Sequence, residues 1–146
     1  MKSFSLTKDG FTFKGFEPTM ARKNAPVFMW IDGTHCNWND PADLNIVQQM
    51  AKRGFISATL KQPYDNSILG YPKTCSRFES RVNRIVAALN VLCTRGSADC
   101  SKGIALAGFS QGANLVNLVA GRSNLLKNPI TAIFTIAGGN NPTSGP

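Results

Sequence analysis

The sequence predicts a three-layer α/β/α domain with a mostly parallel central sheet. Three observations predict it. Short apolar runs of strand length, at Val27–Ile31, Phe55–Leu60, Ile104–Ala107 and Ile130–Ala137, alternate with longer segments whose apolar residues recur at helical spacing. None of those runs carries a charge, as expected of strands covered on both faces. The length, 146 residues with 42% hydrophobic content, suits one domain (1–146) with a real core, and no repeat or linker divides it.

In chain order, residues 3–16 come first. Phe4 and Leu6, then Phe11, Phe13 and Phe16, flank a Lys8-Asp9-Gly10 turn, which reads as a β-hairpin. Glu17 to Pro26 is a polar connection with two prolines. Val27–Ile31 is then a strand, followed by a loop from Asp32 to Asn39. A helix starts next. Asp40 is a natural N-cap, Pro41 suits the first helical position, and Asp43 suits the positive end of the helix dipole. Leu44, Val47, Met50 and Ala51 give its apolar face, Lys52 and Arg53 its last turn, and Gly54 the position beyond it. Phe55–Leu60 follows as a parallel strand, completing a βαβ unit.

Lys61 to Thr74 is a loop containing Pro63, Gly70 and Pro72. From Ser76 to Leu92 the helical pattern is strong, with Phe78, Val82, Ile85, Val86, Leu89 and Cys93 three or four residues apart. Its polar side carries Arg77, Arg81 and Arg84, which read as a solvated helix face. A polar loop joins Cys93 to Cys100. Asn128-Pro129 later breaks the chain, Ile130–Ala137 has the composition of another buried strand but, with nothing following to cover it, would lie bare as an apolar sheet edge, and Asn140–Pro146 is a polar tail expected to be loose.

The stretch between those two segments carries the chemistry. Ile104–Ala107 runs into Gly108-Phe109-Ser110-Gln111-Gly112, a G-x-S-x-G motif. Ala113, Leu115, Val116, Val119 and Ala120 then share one helical face, and Gly121 is a stop. Strand, sharp turn and helix are the context a nucleophile elbow requires. In so tight a turn a Cβ at position 108 or 112 would meet neighbouring backbone, which is why both are glycine. The kink lifts the serine hydroxyl out at the carboxyl end of the sheet, and the Gln111 amide opens the helix beside it.

On these residues the chain resembles the α/β-hydrolase superfamily, in particular its serine esterases and lipases, from about Ala25 onward. The resemblance implies the α/β-hydrolase fold with Ser110 as a catalytic nucleophile that forms an acyl-enzyme from a carboxylic ester. It implies backbone N–H groups of Gln111 and Thr34 as oxyanion donors. Asp32-Gly33-Thr34 stands where the family often has His-Gly-x. It also brings the Lys61–Thr74 loop near the site, so that Tyr64 and Tyr71 either line the substrate pocket or cover the core. In the family the triad acid and then the histidine follow the serine. Here no acidic residue follows Asp99 and no histidine follows His35. His35 itself would approach from the oxyanion side and suits shaping the pocket better than acting as base. The expectation is therefore an N-terminal two-thirds of such a domain, truncated after the strand that follows the elbow helix and nearly inactive alone. The alternatives are a catalytically inactive α/β-hydrolase-like binding protein, or a partner chain that supplies the missing residues. Peptidases, thioesterases and acyltransferases share the elbow.

Composition narrows the rest. The net charge is +8, but its 16 Lys and Arg are scattered, without a polybasic run or nucleic-acid module, so no nucleic-acid partner is expected. No apolar run approaches membrane-spanning length. No metal or cofactor is expected: none of the four cysteines forms C-x-x-C, and one histidine cannot help build a Cys/His zinc site. Cys93 and Cys100 could close their loop by a disulfide, leaving Cys36 and Cys75 to pair across the top of the sheet. An even cysteine count suits a secreted or periplasmic protein, although residues 1–8 hold no signal-peptide core.

Overall fold

The computed structural model describes residues 1–19, 24–33, 38–61 and 75–138, and the side chains of all of these except residues 75–78. Its elements are β1 (Lys2–Lys8), β2 (Phe11–Glu17), β3 (Val27–Ile31), α1 (Pro41–Lys52), β4 (Ile56–Leu60), α2 (Cys75–Leu92), β5 (Ile104–Phe109), α3 (Gln111–Gly121) and β6 (Ile130–Ile136). They form a six-stranded sheet in the order β1-β2-β4-β3-β5-β6. The hairpin pairs antiparallel and adds antiparallel to β4, while β4, β3, β5 and β6 run parallel. The sheet is thus mostly parallel, with its antiparallel strands at one edge.

Local chemistry sets most of these elements. Asp9 and Gly10 turn the hairpin with both residues at positive φ (51° and 79°), as a two-residue type I′ connection demands. Asp40 caps α1 by accepting a hydrogen bond from the Ala42 amide at 2.9 Å. The Trp30 indole N–H donates to Asp43 Oδ1 at 2.8 Å and ties β3 to the first turn of α1. Burial nonetheless pushes the Asp43 carboxyl above its usual range, against the pull of that hydrogen bond.

Packing follows the two periodicities. Every residue of β3 and of β4 is buried. Val27, Met29 and Ile31 face a core shared with Val82, Ile85 and Leu89 of α2 and Leu115, Val116 and Val119 of α3. Phe28 and Trp30, on the alternate face, pack with Val47 of α1 and Ala107 of β5. One helix therefore covers one face and two cover the other, giving the three layers expected.

A second anchor joins the hairpin to the α2–β5 connection. Arg95 meets Glu17 Oε2 at 2.9 Å, and its guanidinium lies 3.8 Å from the Phe4 ring centroid. Ser97 Oγ donates to the same carboxylate at 3.2 Å. Burial alone would raise the Glu17 pKa, but the Arg95 hydrogen bond and charge, with help from Ser97 and Lys2, hold it below its ordinary value. The same connection is closed by a Cys93–Cys100 disulfide. It also pairs with Ala25, whose amide donates to Ser97 O and whose carbonyl accepts from Asp99 N.

Two expectations are settled here. The Ile130–Ala137 run is not buried but is the bare apolar edge expected of a strand with nothing to cover it. It ends as strand at Ile136, lies at the sheet edge, and is exposed from Thr131 onward, with Phe134 at 63%. Its composition suits an interior strand, but none of the described elements packs beyond it. Nor do Arg81 and Arg84 form a solvated face. Both are half-buried: Arg84 lies over the Phe11 ring and donates to Gly10 O, and Arg81 reaches the start of α3. Their long side chains span the gap to neighbouring elements, which spacing along one helix does not reveal.

Candidate active site

Ser110 sits between the last residue of β5 and the first of α3, with φ 53° and ψ −118°. That backbone conformation is strained for a residue with a Cβ and persists only where the surroundings over-determine it. Several contacts do so. The Ser110 amide donates to Ile136 O at 2.9 Å, so β6 holds the entry to the kink. Its carbonyl accepts from the amides of Ala113 and Asn114 at 3.0 and 3.3 Å, so α3 holds the exit.

The flanking glycines are needed for the reason the sequence suggests. A Cβ on Gly108 would lie 2.5 Å from the Gly112 carbonyl carbon, and one on Gly112 would overlap the carbonyl oxygens of Ile31 and Asp32. The kink folds back on itself and against the end of β3 at once. Gly33 continues that contact: a Cβ there would lie 3.0 Å from the Phe109 ring and 3.2 Å from Ser110 Cβ. Gly33, just past β3, is thereby held against the serine. Phe109 is itself 40% exposed beside the half-buried Ser110.

Gln111 is the first residue of α3, so its N–H lies at the positive end of the helix dipole. Its side chain is buried, and Oε1 accepts from Arg81 Nη1 at 2.6 Å. Of the residues singled out from the sequence, Ser110 and Gln111 are brought together here. Thr34, Tyr64, Tyr71, His35 and Cys36 lie outside the described residues, as does the Cys75 side chain. Arg81 was not singled out for this place; its helical spacing placed it in a stripe, and nothing local couples it to a residue thirty positions away. Among the described residues no group of three or more His, Cys, Asp or Glu side chains is set to hold a metal ion, and no helix is long and apolar enough to cross a membrane.

A parallel sheet with an antiparallel hairpin edge, helices on both faces, and a strained serine between the third parallel strand in sequence and its helix defines the α/β-hydrolase fold. Comparison with solved structures agrees. The chain superposes on an acetyl xylan esterase from Aspergillus awamori with a TM-score of 0.69 at 15% identity, over 96% of this chain and 56% of that one. It superposes on Est1E from Butyrivibrio proteoclasticus with a TM-score of 0.61 at 16% identity, over 86% and 48%. For brefeldin A esterase, a bacterial homologue of human hormone sensitive lipase, the values are 0.62 and 16%, over 86% and 37%. At such identities the likeness is one of fold, and the chain spans about half the length of these neighbours. No family model matches the sequence, and no curated protein matches it.

Proposed function

We propose that this chain carries the nucleophile of a serine hydrolase acting on carboxylic esters. The observation that carries the reading is Ser110 at positive φ, in a kink that two glycines make possible. The esterase names of its structural neighbours support the substrate class.

In this reading Ser110 Oγ attacks the ester carbonyl carbon while a general base takes its proton. The carbonyl oxygen gains the electron pair and is met by the N–H of Gln111, which the positive end of the α3 dipole reinforces. Thr34, which follows Gly33 in the sequence, is the proposed second donor. Collapse breaks the bond to the alcohol, which leaves with the proton, and water then releases the acid from the acyl-enzyme by the same steps. Removing one such donor typically costs about 10²–10³ in rate. The base and its orienting acid remain to be assigned. The sequence holds one histidine, His35, and no acidic residue after Asp99, so a Ser–acid–His order needs residues outside these 146. Tyr64 and Tyr71 are proposed to line the substrate pocket. The Cys93–Cys100 disulfide supports an oxidising, secreted or periplasmic setting.

The test is labelling of the full-length protein with a fluorophosphonate. The expected result is modification of Ser110 and none of a Ser110→Ala variant. A folded protein that stays unlabelled overturns the reading. It favours the second one, an inactive binding protein of the same fold, which the single histidine ahead of the elbow also suits.

A further inference from the structure

The Ser110–Gln111 peptide is the link on which the proposed chemistry turns. It joins a residue at positive φ to the first residue of a helix. The amides of Ala113 and Asn114 hold its carbonyl, and a further grip comes from a different element. Arg81, on α2, donates from Nη1 to Gln111 Oε1 at 2.6 Å, and Gln111 is only 4% exposed. A short, charge-assisted bond to a buried amide is among the stronger polar contacts. It is also a costly one to break, because the amide oxygen loses a donor where water has little access.

We propose that Arg81 is a positioning residue for the elbow. By holding the Gln111 side chain from across the α2–α3 contact, it fixes the orientation of the Ser110–Gln111 peptide, and so of the N–H proposed to meet the oxyanion. The consequence for catalysis rests on the serine hydrolase reading; the consequence for the geometry of the elbow does not. Arg81 acts through Gln111. An outer ion pair, Arg122 to Glu79 at 3.1 Å, also joins α3 to α2, but it is exposed and far along the helix from the kink. It serves as the control.

The experiment compares Arg81→Met, Arg81→Lys and Glu79→Gln in the full-length protein by amide hydrogen exchange and by fluorophosphonate labelling. Arg81→Met is expected to speed exchange at the amides of Ser110, Ala113 and Asn114 while leaving β1 and β2 unchanged. Arg81→Lys, which keeps a donor and the charge, should restore part of that protection, and Glu79→Gln should leave it alone. The labelling rate of Arg81→Met should fall about tenfold, with Arg81→Lys between it and the parent. Unchanged exchange at the three elbow amides overturns the proposal. So does a uniform rise across the whole sheet, which marks Arg81 as a general stabiliser, or equal labelling rates in parent and Arg81→Met. If the parent itself fails to label, the hydrolase reading falls and the exchange result still decides the role of Arg81.

Discussion

At the scale of single residues, the elbow is a problem of space before it is one of chemistry. Ser110 adopts its conformation because Gly108 and Gly112 let three backbone segments approach to distances no Cβ permits. Gly112→Ala puts a methyl group onto the carbonyl oxygens of Ile31 and Asp32, which belong to β3 and its exit. Neither can retreat without disturbing the central strand. The expected loss is about 3 kcal/mol or more, read as a fall in the urea midpoint. Gly54→Ala, with open space around it but φ at +96°, should cost less, about 1 kcal/mol. A loss at Gly112 no larger than that at Gly54 would show that crowding is not what Gly112 relieves. The sequence disclosed this much because G-x-S-x-G between an apolar run and a helical face has few other uses. It did not disclose Arg81. A guanidinium reaching thirty residues along the chain leaves no trace in periodicity, and the same spacing fits a solvated stripe equally well.

At the scale of elements, the most legible were those whose ends are written locally. β3 begins and ends where its apolar run does, and α1 starts at the Asp40-Pro41 pair and stops before Gly54. Capping and turn chemistry act within four residues, so short-range reading suffices. The α2–β5 connection needed more. Spacing permitted a Cys93–Cys100 bridge, and the fold brings it about while pairing the same loop with Ala25. Replacing both cysteines by serine should cost about 2–3 kcal/mol, the usual value for a loop of this size, measured by denaturant unfolding against the oxidised parent. No loss would mean that the Ala25 pairing alone closes the loop. β6 is the element whose composition and surroundings disagree. Its residues suit an interior strand, yet burial is decided by what lies on either side, and that information is not in the strand.

At the scale of the molecule, the sheet has two unlike edges. β1 ends in Lys2 and Lys8 and exposes serine and threonine, the means by which edge strands avoid one another. β6 has no charge and exposes Ile133, Phe134 and Ile136. Phe134→Lys should therefore raise the concentration at which residues 1–146 stay dispersed, checked by light scattering, while Ser3→Lys on the exposed face of β1 should do little. The hairpin is joined to the rest through Glu17, and that contact titrates. Because the folded carboxyl is held below its ordinary value of 4.5, its stabilisation is present above the unfolded pKa and is lost as pH falls through the lower folded value. The stability difference between the parent and Glu17→Gln should shrink over that acid range; a constant difference would show the shift to be absent. The sequence by itself determined the order of strands and helices, the strained serine and the absence of charge from the apolar strand runs, since each follows from chemistry between near neighbours. Only the tertiary structure decided which arginine grips Gln111 and that Glu17 and Arg95 tie the hairpin to the α2–β5 connection. Those outcomes depend on residues far apart in the chain meeting in space, and no local pattern records such a meeting.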